Sequence, residues 1–143
     1  MLKALSHRAV GAKGERIAAR YLKRLGYKIK AKNFRSAHGE IDIIAQKDGR
    51  TVFVEVKART EDPQNASRFG RPANAVNKLK KTRFLSCVFA YQKKHPESLS
   101  CRVDVIEVLL PGKQSTFKKP QIMHTVAAFG ANDYDGRLLR PRR

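Results

Sequence analysis

Apolar residues along this chain change their spacing several times, and each change marks an element. From about Arg8 to Leu25 the stripe Ala12, Ala18, Ala19, Leu22 and Leu25 has helical spacing, with Glu15 inside it, and Gly26 supplies a stop. Tyr27 to Ala31 reads as a short strand and "NFRSAHG" as a loop. Gly39 to Arg59, "GEIDIIAQKDGRTVFVEVKAR", alternates on both sides of Asp48-Gly49, the strongest short-range signal for a two-residue hairpin. "EDPQNASRFGRP" has the Pro, Gly and Asn content of a mobile loop near 60–72, and a helix is expected from about Ala73 to Lys94. Arg102 to Leu110 alternates as a strand, and "QIMHTVAAF" fits strand or helix equally well. The order α-β-β-β-α-β predicts a mixed α/β sandwich.

The two-residue turn fixes the hairpin register, with Lys47 opposite Arg50 and so on outward. That register sets Asp42 opposite Glu55 and Glu40 opposite Lys57, on one face with Ile44 and Phe53. Ile41, Ile43, Val52, Val54 and Val56 then line the other face, which is core. Side chains directly opposed on a ladder have Cβ atoms only ~5 Å apart, so an Asp facing a Glu repels unless a cation lies between them or one stays protonated. A divalent ion resolves the conflict: Mg²⁺ binds one or two carboxylates at roughly 2.0–2.1 Å and keeps waters for phosphate oxygens. Lys57 could then orient or deprotonate a water, or neutralise charge on a phosphate, and Glu15 could join from its helix. The plainer alternative is a Glu40–Lys57 cross-strand ion pair, with Asp42 bonded to a nearby loop and Glu55 to an arginine.

Charge changes the picture further. The chain has 143 residues with 31 Lys+Arg against 12 Asp+Glu, a net charge of +19 and 41% hydrophobic residues. That length suits one domain over 1–143, and a folded body this basic is suited to a polyanionic partner. DNA leads, with RNA, including ribosomal RNA, and then an anionic membrane surface as the alternatives. Cys87 and Cys101 stand in apolar contexts without a Cys-x-x-Cys or His-Cys cluster, which argues against a zinc site or disulfide framework and for two small core residues. No leader-like apolar region and no window of the ~20 apolar residues a membrane span needs is present, so a cytoplasmic location is expected. The basic end near 132–143, closing on "RLLRPRR", reads as a frayed tail.

"GAKGERIAARYLKRLGYKIKAKNFRSAHGEIDIIAQKDGRTVFVEVKAR" closely resembles the YraN family of small bacterial proteins, in the PD-(D/E)xK nuclease-like group, which is similar to archaeal Holliday junction resolvases. The likeness runs from about Gly11 to Val108. It implies a restriction-endonuclease-like core, a mixed central sheet flanked by helices. It also implies catalytic roles for Asp42, Glu55, Lys57 and Glu15. Mg²⁺ or Mn²⁺ would be held by Asp42, Glu55, the Val56 carbonyl and Glu15, for hydrolysis of DNA phosphodiesters at branched structures in repair or recombination. A catalytically weak DNA- or RNA-binding accessory module of the same fold is the alternative, and similar junction enzymes work as homodimers.

In the second helix, Val76, Leu79, Cys87, Ala90 and Tyr91 project onto one arc with Lys80 inside it. The resemblance also places a helix lysine there, so Lys80 either reaches phosphate or snorkels past the helix edge. Arg102 and Asp104 match a family strand motif and are read as a structural ion pair. His38 reads as a solvated loop residue. Phe34, Arg35, Arg59, Arg68 and Arg71 are read as a patch that stacks on or grips a nucleic acid backbone.

Overall fold

The computed structural model describes residues 5–61 and 77–141. Helix α1 spans His7–Arg24, capped by the Ser6 side chain accepting from the Ala9 N–H. It ends where Gly26 adopts φ +92°, and Tyr27 N–H returns to the Leu22 carbonyl. That left-handed glycine stop is the one expected, because a Cβ penalises that conformation. Strands β1 (Lys28–Ser36), β2 (Gly39–Lys47) and β3 (Arg50–Thr60) follow, then α2 (Lys78–Lys94), β4 (Cys101–Leu110) and β5 (Gln121–Phe129). Residues 73–76, where the second helix was expected to begin, lie outside the described residues, as does the loop over 62–72 with Arg68 and Arg71.

The five strands form one sheet in the order β1-β2-β3-β4-β5. The β3–β4 pair is parallel, joined through α2, and the other three pairs are antiparallel. The expected mixed sheet flanked by helices is therefore present, and the ambiguous "QIMHTVAAF" is its edge strand. Helix α1 covers one face, over Ile43, Ala45, Val52, Val54, Ile106 and Val108. Helix α2 covers the other, over Ile44, Phe53, Val103 and Val105. Cys87 is buried in that second layer, Cys101 is half-buried, and both are free thiols. No helix among the described residues is long and apolar enough to cross a membrane.

Several sequence expectations need correction. In α1, Ala12 and Leu25 are exposed, and the buried stripe is Val10, Gly14, Ala18, Ala19 and Leu22. The stripe shifts because α1 approaches β3 at a glycine. A Cβ on Gly14 would collide with the Ala58 Cβ, so close contact at this point requires the missing side chain. In α2 the buried arc is Thr82, Phe84, Leu85, Cys87, Val88 and Tyr91, and Lys80 is exposed at its rim. Of the end expected to fray, Gly136–Leu139 forms a 3-10 turn capped by Asp135, which also pairs with Lys78 of α2 at 3.9 Å.

The Arg102–Asp104 ion pair is present, at 3.0 Å, inside a larger network that ties β4 to β5, α1 and the start of β1. Asp104 is fully buried and accepts from His124 Nε2 at 2.7 Å and from the Ala127 N–H at 3.0 Å. His124 Nδ1 meets the Tyr21 hydroxyl at 3.0 Å, and Arg102 donates to the Tyr27 hydroxyl. Burial pushes the Asp104 carboxyl up, but the hydrogen bonds from His124, Arg102 and Ala127 outweigh it and hold the group below the ordinary aspartate range.

Two stability outcomes follow from these contacts. Gly14→Ala is expected to lower stability by roughly 1–3 kcal/mol, as overpacking does, and Ala58→Gly in the same chain should recover most of the loss. Urea unfolding of the four chains checks this, and an additive double variant would exclude the contact as the cause. Asp104→Ala leaves half-buried Arg102 and His124 and the Ala127 N–H without their acceptor and is expected to cost about 2 kcal/mol or more. A change under 1 kcal/mol by the same measurement would contradict that assignment.

Candidate active-site cleft

Sequence periodicity placed Asp42 and Glu55 face to face, and the structure brings them together by a different route. Turn residues Asp48 and Gly49 both have positive φ, 53° and 74°, as a primed hairpin turn requires. From there the β2–β3 register runs as expected, Lys47 opposite Arg50 through Ile43 opposite Val54. The paired residues stop at that point, so Asp42 and Glu55 are not ladder partners. Instead the Asp42 carboxylate takes the place of a backbone acceptor, receiving the Val56 N–H at 2.7 Å.

The break coincides with an irregularity on the neighbouring strand. Asn33 of β1 has φ 53°, a left-handed conformation that asparagine tolerates better than most residues. On one side of it Lys32 pairs with Ile43, which lies under α1; on the other Phe34 pairs with Ile41, which lies under α2. Alternation is thus reversed across Asn33 and Asp42. Ile41 consequently belongs to the α2 layer, not to the face of Ile43 where strict alternation put it. Glu40 likewise is not opposite Lys57: it pairs with Arg35 on β1, at 3.2 Å.

Where β2 and β3 part, a cleft of about 210 Å³ opens beneath α2. Asp42, Glu55 and Lys57 line it from the sheet with Gly39 and Glu40, Lys80, Arg83 and Phe84 line it from α2, where Arg83 packs against Gly39, and Phe129 lines it from β5. Asp42 is only 8% exposed. Burial pushes its carboxyl up to about 8, with Glu55, Glu15 and Glu40 adding to the rise and the Val56 N–H opposing it. Burial also pushes Glu55 up to about 7, where Lys57 and Lys80 pull it back and Glu40 and Glu15 push it further. Desolvation lowers the Lys57 ammonium below the ordinary lysine value, opposed by Glu55 and by Glu107, its partner on β4.

The other expected residues divide. Glu15 sits half-buried on α1, in the opposite layer; its charge reaches both acids, but it does not line the cleft. Val56 supplies its N–H to Asp42, and its side chain packs beneath α1. Lys80 lines the cleft from its exposed position on α2. Arg35 is exposed and engaged with Glu40. Arg59 is half-buried two residues beyond Lys57, and it does not line the cleft. Phe34 is not free to stack on a base: its ring packs edge-on against Tyr91, centroids 5.2 Å apart. His38 is exposed in the β1–β2 turn, as expected.

Arg83, Phe84, Phe129 and Glu107 were missed. Arg83 and Phe84 follow Lys80 at the i+3 and i+4 spacing that shares a helix face, so they were within reach of the sequence. Phe129 and Glu107 enter only through the β3–β4–β5 pairing, which no local pattern records.

The donor set is two carboxylates of raised pKa in a desolvated cleft, a chemistry suited to a hard dication that keeps waters. Among the described residues no cluster of three or more His, Cys, Asp and Glu side chains is set to hold a metal ion. Any ion here would therefore rest on Asp42 and Glu55, with other oxygens completing its shell.

Comparison with known proteins gives the lineage. Residues 14–108 match the uncharacterised protein family UPF0102. A UPF0102 protein of Caldanaerobacter subterraneus subsp. tengcongensis is 38% identical over 129 residues, 90% of this chain and 100% of the relative. One of Geobacter metallireducens is 39% identical over 127 residues, 87% of this chain and 95% of the relative. One of Symbiobacterium thermophilum is 43% identical over 102 residues, 71% and 82% respectively. The match spans both flanking strands of the cleft and most of the chain, and the protein belongs to the uncharacterised family UPF0102, the YraN family whose strand motifs its sequence carries.

Proposed function

We propose that the cleft is a Mg²⁺- or Mn²⁺-dependent phosphodiesterase site that acts on nucleic acid, DNA in the first instance, at branched structures. The observation that carries this reading is that two largely buried carboxylates, Asp42 and Glu55, line one cleft with the cations Lys57 and Lys80, and burial raises both carboxyls above their ordinary range. Such a pair is strained when ionised and relaxed when positive charge is brought between its members. Asp42 and Glu55 would hold the ion, with the Val56 carbonyl as a further oxygen. When bound it would supply Lewis-acid activation of the phosphate and of water.

The chain's own residues then have separate tasks. Asp42 lines the cleft and is held there by the Val56 N–H on one of its oxygens, Oδ2. Lys57, with its lowered pKa, is suited to take a proton from water, and Lys80 and Arg83 face the cleft where they can hold phosphate oxygens. Glu15 raises the negative field at both acids from the far layer. Recognition by backbone and shape fits the absence of any base-reading helix among the described residues.

A second reading is favoured by the lack, among the described residues, of three or more His, Cys, Asp and Glu side chains grouped to hold an ion. On it the chain is an accessory binding module whose cleft keeps the fold but hydrolyses little. Incubating purified protein with branched and linear DNA and Mn²⁺ separates the two. The nuclease reading expects cleavage lost in Asp42→Ala and Glu55→Ala and reduced roughly 10²- to 10⁴-fold in Lys57→Gln. Cleavage that survives in the acid variants would reject these roles. DNA binding without acid-dependent Mn²⁺ uptake in calorimetry would leave the accessory reading.

The raised pKa values also predict a pH dependence of stability. Unfolded carboxyls titrate near 4, and these two titrate at about 8 and about 7, so between those limits the folded chain holds protons that the unfolded chain has lost. Stability of the metal-free protein should therefore fall as pH rises through that window, and Mn²⁺ should restore it most at the alkaline end. Asp42→Asn keeps an acceptor for Val56 and removes the charge. At pH above 8 it is expected to raise Tm by about 3 °C or more, the shift of roughly 1 kcal/mol in a domain of this size. Identical pH profiles for Asp42→Asn and wild type in thermal melts would count against the burial of charge at this site.

A further inference from the structure

The outer face of α1 is strongly one-sided in charge. Arg8, Lys13, Arg16, Arg20, Lys23 and Arg24 are all exposed, and the only acid of the helix, Glu15, is turned partly into the protein. None of the six cations joins an ion pair among the described residues. At 100° per residue, Lys13, Arg16, Arg20, Lys23 and Arg24 fall within roughly 100° of arc. Val10, Gly14, Ala18 and Leu22 occupy the opposite side, against the sheet.

Folding does not account for this face. Arg16, Arg20 and Arg24 repeat at four-residue spacing, where like charges repel, and Arg8 stands in a first turn that holds no acid, against the helix dipole. An anionic membrane is a poor match, because the apolar side of α1 is consumed by the sheet and is not free to enter a bilayer. A nucleic acid backbone is a good one. Lys13 to Arg24 spans about 17 Å along the helix axis, which is roughly five phosphates of one strand at their ~3.4 Å axial spacing.

We infer that the outer ridge of α1 is a second nucleic-acid backbone site, on the opposite face of the sheet from the cleft. The inference shares with the proposed function only the polyanionic partner. Because α1 and α2 cover opposite faces, a straight duplex seated on the ridge does not reach Lys80 and Arg83. The two sites thus address different segments of a branched or folded nucleic acid, one held by charge alone and one led to the acids.

The test is the salt dependence of binding. A short labelled duplex is titrated by anisotropy across a KCl series with wild type, with Arg16→Gln, Arg20→Gln and Lys23→Gln combined, and with Arg16→Lys and Arg20→Lys combined. Each phosphate contact contributes about 0.9 to the slope of log K against log salt, so the neutral triple variant should lower the slope by about two to three, and the lysine variant should keep it. The same neutral change in a Lys80→Gln background should lower the slope by the same amount. Circular dichroism checks that these exposed substitutions leave the fold intact. An unchanged slope in the neutral variant overturns the inference. So does loss of binding to phosphatidylglycerol vesicles while duplex binding stays as it was. Mn²⁺ uptake at Asp42 and Glu55 reads the cleft separately, so an unchanged slope leaves the cleft standing, and absent Mn²⁺ uptake leaves the ridge standing.

Discussion

Two carboxylates held close together where water is largely excluded govern the chemistry of this chain. In bulk water two like charges about 4 Å apart repel by roughly 1 kcal/mol, and near a protein surface by roughly 4. Most of that repulsion is avoided at neutral pH because the pair keeps protons, Asp42 to about 8 and Glu55 to about 7. The inequality between them has a local origin. Glu55 lies within the fields of Lys57 and Lys80, which favour its ionised form, whereas Asp42 is relieved only by one backbone N–H.

That arrangement is produced by a fault in the sheet. Had β2 and β3 paired to their ends, Val56 would give its N–H to a strand carbonyl, and Asp42 would stand on a closed surface. Left-handed Asn33 coincides with the reversed alternation of β1 and β2, Ile41 lies beneath α2, and Asp42 completes the bonding of Val56. The surroundings keep the fault from spreading. Gly14 lets α1 close tightly on Ala58, one residue past Lys57, while the Asp104 network anchors β5 and so carries Phe129 to the cleft wall. There Phe129 meets Phe84 edge-on, centroids 5.5 Å apart. An open cleft thus rests on two rigid layers.

Local patterns in the sequence were enough for the helices, the Asp48-Gly49 turn, the inner half of the hairpin register and the grouping of Asp42, Glu55 and Lys57. Each rests on contacts between near neighbours in the chain. Ile41 was misplaced because strict alternation assumes an unbroken strand, and one asparagine with positive φ breaks it. Lys80 was read as inside the apolar arc because that arc was drawn through Val76, Leu79 and Ala90. The buried residues Phe84, Leu85 and Val88 shift its centre and leave Lys80 on the rim. His124 was invisible for another reason: its role depends on Asp104, 20 residues away, and on β5 being a strand at all.

The cleft combines a basic rim with an acidic floor, and these answer an approaching phosphate with opposite signs. Lys80 and Arg83 on the rim attract it, and the net charge of +19 draws polyanions toward the whole molecule. On the floor, Asp42 and Glu55 admit a phosphate only while their own charge is suppressed, by protons below about 7 or by an added cation above it. A floor kept neutral by protons alone holds a phosphate but has no ionised carboxylate to offer a metal ion. A floor ionised and uncompensated repels it. On the proposed function, positive charge bound between the two acids would let rim and floor act on the same phosphate at neutral and alkaline pH, and Lys57, whose ammonium is already destabilised by burial, would be the cleft group readiest to exchange a proton.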